Sequence, residues 1–156
     1  GWDVAAVTDM GSMFTRASHF NQNISSWNVG NVTDMSFLFF ETENFNSDIS
    51  GWDVSSVINM SFMFSGAQSF NGDLSSWNVQ NVTNMSDMFR FAFNFNRDIS
   101  GWNVSEVTNM NLMFSFASSF NQNLSGWATD NVIECSNFSE FSALPPENLP
   151  VNGPCF

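Results

Sequence analysis

The chain has 156 residues, a net charge of -12 and no lysine; its only cations besides the single histidine are Arg16, Arg90 and Arg97, against 15 carboxylates. A surface this acidic repels nucleic acid and anionic membranes, because both need a basic patch, so neither is an expected partner. No apolar run approaches the length of a membrane span, and membrane insertion is not expected either.

Self-similarity dominates everything else in the sequence. Trp occurs only at 2, 27, 52, 77, 102 and 127, always 25 residues apart. Phe20, Phe45, Phe70, Phe95 and Phe120 keep the same step, as do Met10, Met35, Met60, Met85 and Met110, with Cys135 next in register. Asn21, Asn46, Asn71, Asn96 and Asn121 recur unchanged, and Val fills one column from Val7 to Val132. The chain starts directly in this consensus at Gly1, without initiator Met or signal peptide, and is expected to be processed or part of something longer.

Each unit reads as a short strand, a short helix and a return loop. Val54 to Met60 is β-branched and extended in character, which suits a strand. Met60, Met63, Phe64 and Ala67 fall at i, i+3, i+4 and i+7, the spacing of one helix face. Asn59 or Ser61 is placed to cap it. Phe70 to Trp77 is rich in Asn, Asp, Ser and Gly and reads as a turn with apolar anchors. The predicted fold is therefore a leucine-rich-repeat-like solenoid of about six coils, with the strands in a parallel sheet and the Trp, Phe, Met and Val columns as internal ladders. The Asn column is expected to turn inward and satisfy backbone groups at a tight bend. Residues 1–130 form the solenoid. Residues 131–156 form a degenerate last coil and a C-terminal cap or tail, where four prolines break the repeat.

Cys135 and Cys155 are the only cysteines. A pair confined to one end suits a disulfide in a secreted protein, and two free buried thiols are the alternative. Eight Asn-x-Ser/Thr sequons occur. Asn31, Asn81 and Asn103 are the first choices for covalent glycans, followed by Asn23, Asn123 and Asn137; Asn59 and Asn84 lie against the Met column and fit a glycan less easily.

Catalytic parts are missing. His19 is the only histidine, with no Ser-His-Asp or Cys-His arrangement and no zinc ligand set around it. No cofactor is called for. Asp48, Asp73 and Asp98 share one column, flanked by Asn23 and Asn123. They read as turn-capping side chains, with bridging Ca²⁺ as the alternative. Thr8, Thr33, Thr83 and Thr108 form another column with the outline of an ice-binding ladder. Ile58 and Ile133 interrupt it, and the neighbouring Asp/Asn column carries charge, so the reading is not adopted. Phe37, Phe40, Phe62, Phe91, Phe93 and Phe116 break the mostly small or polar pattern of the variable positions and suggest an apolar stripe.

The string Trp77-Asn78-Val79-Gln80-Asn81-Val82-Thr83-Asn84-Met85-Ser86-Asp87-Met88-Phe89, followed by Phe95-Asn96 and Asp98-Ile99-Ser100, resembles the BspA-like leucine-rich-repeat surface proteins. That family includes a domain of unknown function abundant in mycoplasma and other bacterial surface lipoproteins and found in unicellular algae. The resemblance implies an extracellular or cell-surface location, an adhesive or structural role, and no catalytic activity; the family offers no functional residues to carry over. The sequence thus leads to a non-enzymatic, glycosylated structural protein that builds surface fibres or a coat. Its partner is expected to be itself, as a head-to-tail homopolymer, or further repeats of a longer chain. The alternative is an adhesin-type module that binds a protein or glycan.

Overall fold

The computed structural model describes residues 2–156; Gly1, counted above in the first coil, lies outside them. The 25-residue period is realised as coils stacked one on the next, but the coils are built from turns. Among the described residues the only helical element is a single 3-10 turn, Pro146–Asn148. Strand pairing is confined to isolated parallel bridges that join Asp9 to Asp34, Asp34 to Asn59, Asn59 to Asn84, Asn84 to Asn109 and Asn109 to Glu134. The expected leucine-rich-repeat-like solenoid, with a strand and a helix per coil and a parallel sheet, is therefore not what the chain forms.

The third coil shows why. Where a helix was expected, the N–H groups of Met63, Ser65 and Ala67 bond three residues back, to Met60, Phe62 and Phe64. The alternating N–H groups of Met60, Phe62, Phe64 and Gly66 point along the stack instead. They bond the carbonyls of Asn84, Ser86, Met88 and Arg90 in the next coil at 3.0, 2.9, 2.9 and 2.7 Å. Such overlapping turns need a positive φ at every fourth residue, as type II turns do. The chain supplies it at Ser12 and Arg16, Phe37 and Glu41, Phe62 and Gly66, and so on to Asn137 and Phe141. An isolated helix of two turns is marginal in water. Sending half of the N–H groups to the neighbouring coil ties the stack together at no loss of hydrogen bonds. The expected strand dissolves likewise: Val57 closes a turn on Val54, and only Asn59 pairs as a bridge.

The core is the interior of the stack. Val54, Val57, Met60, Met63, Phe64, Ala67, Phe70, Leu74 and Trp77 are all buried, and the same columns are buried in the coils on either side. Phe64 and Phe70 stack within the coil at 4.1 Å, and Phe64 stacks on Phe89 of the next at 5.6 Å. Rings in one column are stacked: Trp27 and Trp52 differ by 2°, Phe95 and Phe120 by 4° and Trp102 and Trp127 by 5°, while at the first coil Trp2 and Trp27 differ by 21° and Phe20 and Phe45 by 16°.

The Asn column does not turn inward. Asn21, Asn46 and Asn121 are exposed and Asn71 and Asn96 half-buried. The Oδ1 of each of the first four accepts the N–H of the Asn one coil further on, at 2.8 to 3.1 Å. The inward reading missed that the orphaned N–H belongs to the neighbouring coil. At the last coil, Leu149 continues the Ile24–Leu124 column, and Leu124 donates to the carbonyl of Asn148 at 2.8 Å.

Candidate functional site

The coil exterior divides into three kinds of surface. On the Asp/Asn turns, Asp48 accepts the N–H of Ser50 at 2.9 Å and its hydroxyl at 2.7 Å; Asp73 and Asp98 accept the N–H groups of Ser75 and Ser100, both at 2.9 Å. These bonds to the serine N–H and then to its hydroxyl hold all three carboxyls below their ordinary value, against slight desolvation. Repulsion from Asp73 pushes Asp48 and Asp98 up a little, while Arg97 helps to lower Asp73. No group of three or more His, Cys, Asp or Glu fit to hold a metal is found among the described residues, so these carboxylates are stacked but do not converge on one ion. Each closes its own turn, as Asn23 and Asn123 do in the same column. His19 is exposed, with Nδ1 3.0 Å from the Ser18 hydroxyl.

The sequon residues separate by hydrogen bonding. All six glycan candidates are exposed, whereas Asn59 and Asn84 are half-buried. The Nδ2 groups of Asn31 and Asn81 are already committed: they donate to the carbonyls of Ala5 and Ser55 in the preceding coil, at 2.8 and 2.7 Å. Asn103, Asn23 and Asn123 use only Oδ1, accepting the N–H two residues on, which leaves the amide nitrogen towards solvent. Asn137 sits exposed at a positive φ of the last coil. Of the three first choices, Asn103 alone keeps its amide nitrogen out of a hydrogen bond.

The third surface carries most of the coil-to-coil variation. It follows the tandem turns, whose outward residues change from coil to coil. Phe37 stacks on Phe62 at 4.5 Å with Phe40 edge-on at 5.5 Å; Phe91 stacks on Phe116, and Phe141 lies tilted against Phe116, both at 4.8 Å. Two of the three arginines lie here. Arg16 pairs with Glu41 at 2.7 Å and lies over Phe40; Arg90 pairs with Asp87 at 3.2 Å and lies over Phe91. Asp87 is buried, and that burial raises its pKa even though Arg90 pulls it down. The apolar spacing gave no sign of this pair, because Asp87 replaces a surface residue of other coils at a position that only the turn geometry brings under neighbouring side chains.

At the end of the stack Cys135 and Cys155 are joined by a disulfide, with Cα atoms 6.0 Å apart, and Phe156 packs edge-on against Phe138. No helix among the described residues is long and apolar enough to cross a membrane.

A family profile described as "Mycoplasma protein of unknown function, DUF285" matches residues 1–89 and, in an overlapping second match, 43–145. The chain belongs to this repeat family. No curated protein and no solved structure shows a significant match. The disulfide and the family are consistent with an extracellular or surface protein.

Proposed function

We propose that the chain is a non-enzymatic extracellular structural protein of the BspA-like kind, a glycosylated rod that builds surface fibres or a coat by association of its coils. One observation carries the reading. Among the described residues, the N–H groups of Cys135, Asn137, Ser139 and Phe141 have no hydrogen-bond partner, and neither do the carbonyls of Asp9, Gly11, Met13 and Thr15. These are the donor and acceptor positions that link every internal pair of coils. A second copy, or further repeats of a longer chain, satisfies both rows in the same register. Phe156 stands beside the donor row, so the tail must tilt aside for a copy to dock. Light scattering of this chain over a range of concentrations tests the reading, with and without Phe156. Concentration-dependent growth that is enhanced by the deletion supports it, and a monomer in both cases refutes self-association.

An adhesin-type module is favoured instead by the variable face, where half-buried and exposed Phe and Arg side chains break a largely polar, acidic exterior. Binding to an array of matrix proteins and glycans that is lost in Phe91→Ser, with self-association unaffected, selects that reading.

A further inference from the structure

The coil positions of Ala6 and Thr8 point outward on either side of the inward Val column. They make two parallel ranks down one side: Ala6, Asn31, Ser56, Asn81, Glu106 and Asn131, and beside them Thr8, Thr33, Ile58, Thr83, Thr108 and Ile133. All are exposed except Ser56, which is half-buried. Both ranks are pinned. The backbone N–H groups of Thr33, Ile58, Thr83, Thr108 and Ile133 each bond the carbonyl one coil back in their own rank, at 2.8 to 3.0 Å. The hydroxyls of Thr33, Thr83 and Thr108 bond the same carbonyls, which restrains these exposed side chains. The amides of Asn31, Asn81 and Asn131 are clamped to Ala5, Ser55 and Ser105 of the preceding coil.

From this array we infer that the Thr/Ile and Asn ranks form an ice-binding face. Four features carry it. The Thr/Ile rank is regular, since every step from Thr8 to Ile133 repeats the same backbone hydrogen bond to the coil before. It is periodic at the spacing of a parallel backbone ladder, about 4.8 Å, which is close to the oxygen repeat along the a axis of hexagonal ice. It is rigid, so ordering the side chains on binding has little entropy left to lose. And it offers methyl groups, which restrict the orientations of first-shell water, at fixed places beside fixed polar groups. Of the two objections raised by the sequence, the interruption of the rank falls away, and the neighbouring charges are held in place by their own hydrogen bonds. Ile58 and Ile133 keep branched methyl-bearing side chains at the same position, both well exposed. The carboxylates of the adjoining column are bonded into their own turns or to side-chain amides: Asp9 to the N–H of Gly11, Asp34 to Ser36 and Asn59, and Glu134 to Asn109 and Asn111. Crystalline polysaccharide, the other flat periodic partner, is gripped by exposed aromatic rings, and this face has none.

The inference is independent of how the chain assembles. Its test uses the unglycosylated chain, measured for thermal hysteresis and for inhibition of ice recrystallisation. The expected result is activity in the parent that Thr83→Tyr and Thr108→Glu each abolish while tryptophan fluorescence shows the fold kept. Glu106→Asn, which removes the one charge in the two ranks, raises the activity, and Gln68→Tyr on another side leaves it unchanged. An inactive folded parent overturns the inference. So does activity that survives both rank substitutions, or retention on cellulose with no effect on ice.

Discussion

Each buried indole closes the coil before it. The Nε1–H groups of Trp52, Trp77, Trp102 and Trp127 donate to the carbonyls of Ile24, Ile49, Leu74 and Ile99, 28 positions back, at 3.0 to 3.2 Å. Trp77→Ala therefore removes a large core side chain and strands the Ile49 carbonyl. We expect a loss of about 3–5 kcal/mol, as for other large core truncations. Trp77→Phe keeps most of the ring but still orphans that carbonyl, for about 1–3 kcal/mol. Urea unfolding measures both, and a parental midpoint in the Ala variant means the ladder is not buried. The aspartates set the acid limb of stability. Asp48, Asp53, Asp73 and Asp98 titrate below the ordinary 3.8 because serine N–H and hydroxyl groups hold their charge. Burial pushes Asp34 up, but Ser36 and Asn59 outweigh it and its value is also lowered. A depressed folded-state pKa gives stability that is present above 3.8 and lost as pH falls through the folded value. Asp87 has the opposite sign: its raised value gives stability present below 3.8 that is lost as pH rises through the folded value. Five against one, the melting temperature should fall on acidification below about pH 4. Asp73→Asn keeps the Oδ1 that closes the turn, as Asn23 and Asn123 do in the same column, and should flatten that fall. A variant with an unchanged acid slope excludes Asp73 as a contributor.

At the scale of the element, the tandem turn is the unit that the chain repeats, and its demands are conformational. Ser12 sits at φ 62 on the exposed first coil, where a non-glycine residue costs about 1–2 kcal/mol. Ser12→Gly relieves this and gives back about 0.4–1 kcal/mol of unfolded-chain entropy, so a gain of about 0.5 kcal/mol is expected. Gly66→Ala runs the other way. At φ 73 its new Cβ meets Cγ and Cα of Glu41 at 3.2 and 3.3 Å, and a loss of about 1 kcal/mol is expected. Equal melting temperatures for the two variants contradict the turn geometry. The same unit explains what could be read in advance. The columns were legible, because a ladder in a stack needs one residue type at one position of every coil, and Trp, Phe and Met show that directly. The turns were not. Met60, Met63, Phe64 and Ala67 carry the helix spacing because overlapping turns advance four residues at a time, close to the helical 3.6. What distinguishes the two is where alternate N–H groups go, and their partners lie 24 residues further along the chain. Only the mixture at the outward positions hinted at it: Phe62, Asp87 and Leu112 have no common polarity, but share a left-handed backbone.

For the whole molecule, the stack is one-dimensional. Every bridge joins adjacent coils, so each coil's stability depends on its two neighbours and the ends are its weakest places. The Cys135–Cys155 bridge closes a loop of 20 residues at one end, worth about 3 kcal/mol in a chain-entropy treatment. In a two-state globule, that loss would lower every core amide together. Here it should stay local. The tail is held to the fifth and sixth coils by a few groups. Leu124 donates to Asn148, the Asn148 amide donates to the Asn121 carbonyl, and the Thr129 hydroxyl donates to the Asn152 carbonyl. Without the bridge these contacts must order residues 142–156 alone, against backbone entropy of about 1–2 kcal/mol per residue. Cys155→Ser should therefore fray the tail and the sixth coil while the coils beneath keep their own hydrogen bonds. Native-state hydrogen exchange reads this directly. The N–H of Leu124, whose acceptor is in the tail, should lose protection. The N–H groups of Met60, Phe64 and Met85, whose acceptors lie in the fourth and fifth coils beneath the sixth, should keep theirs. Reduction of the parent should reproduce the pattern. Equal loss at all four amides would show that the stack unfolds as one cooperative block. Full protection at Leu124 would show that proline-stiffened packing of Leu144 and Leu149 holds the cap without the disulfide.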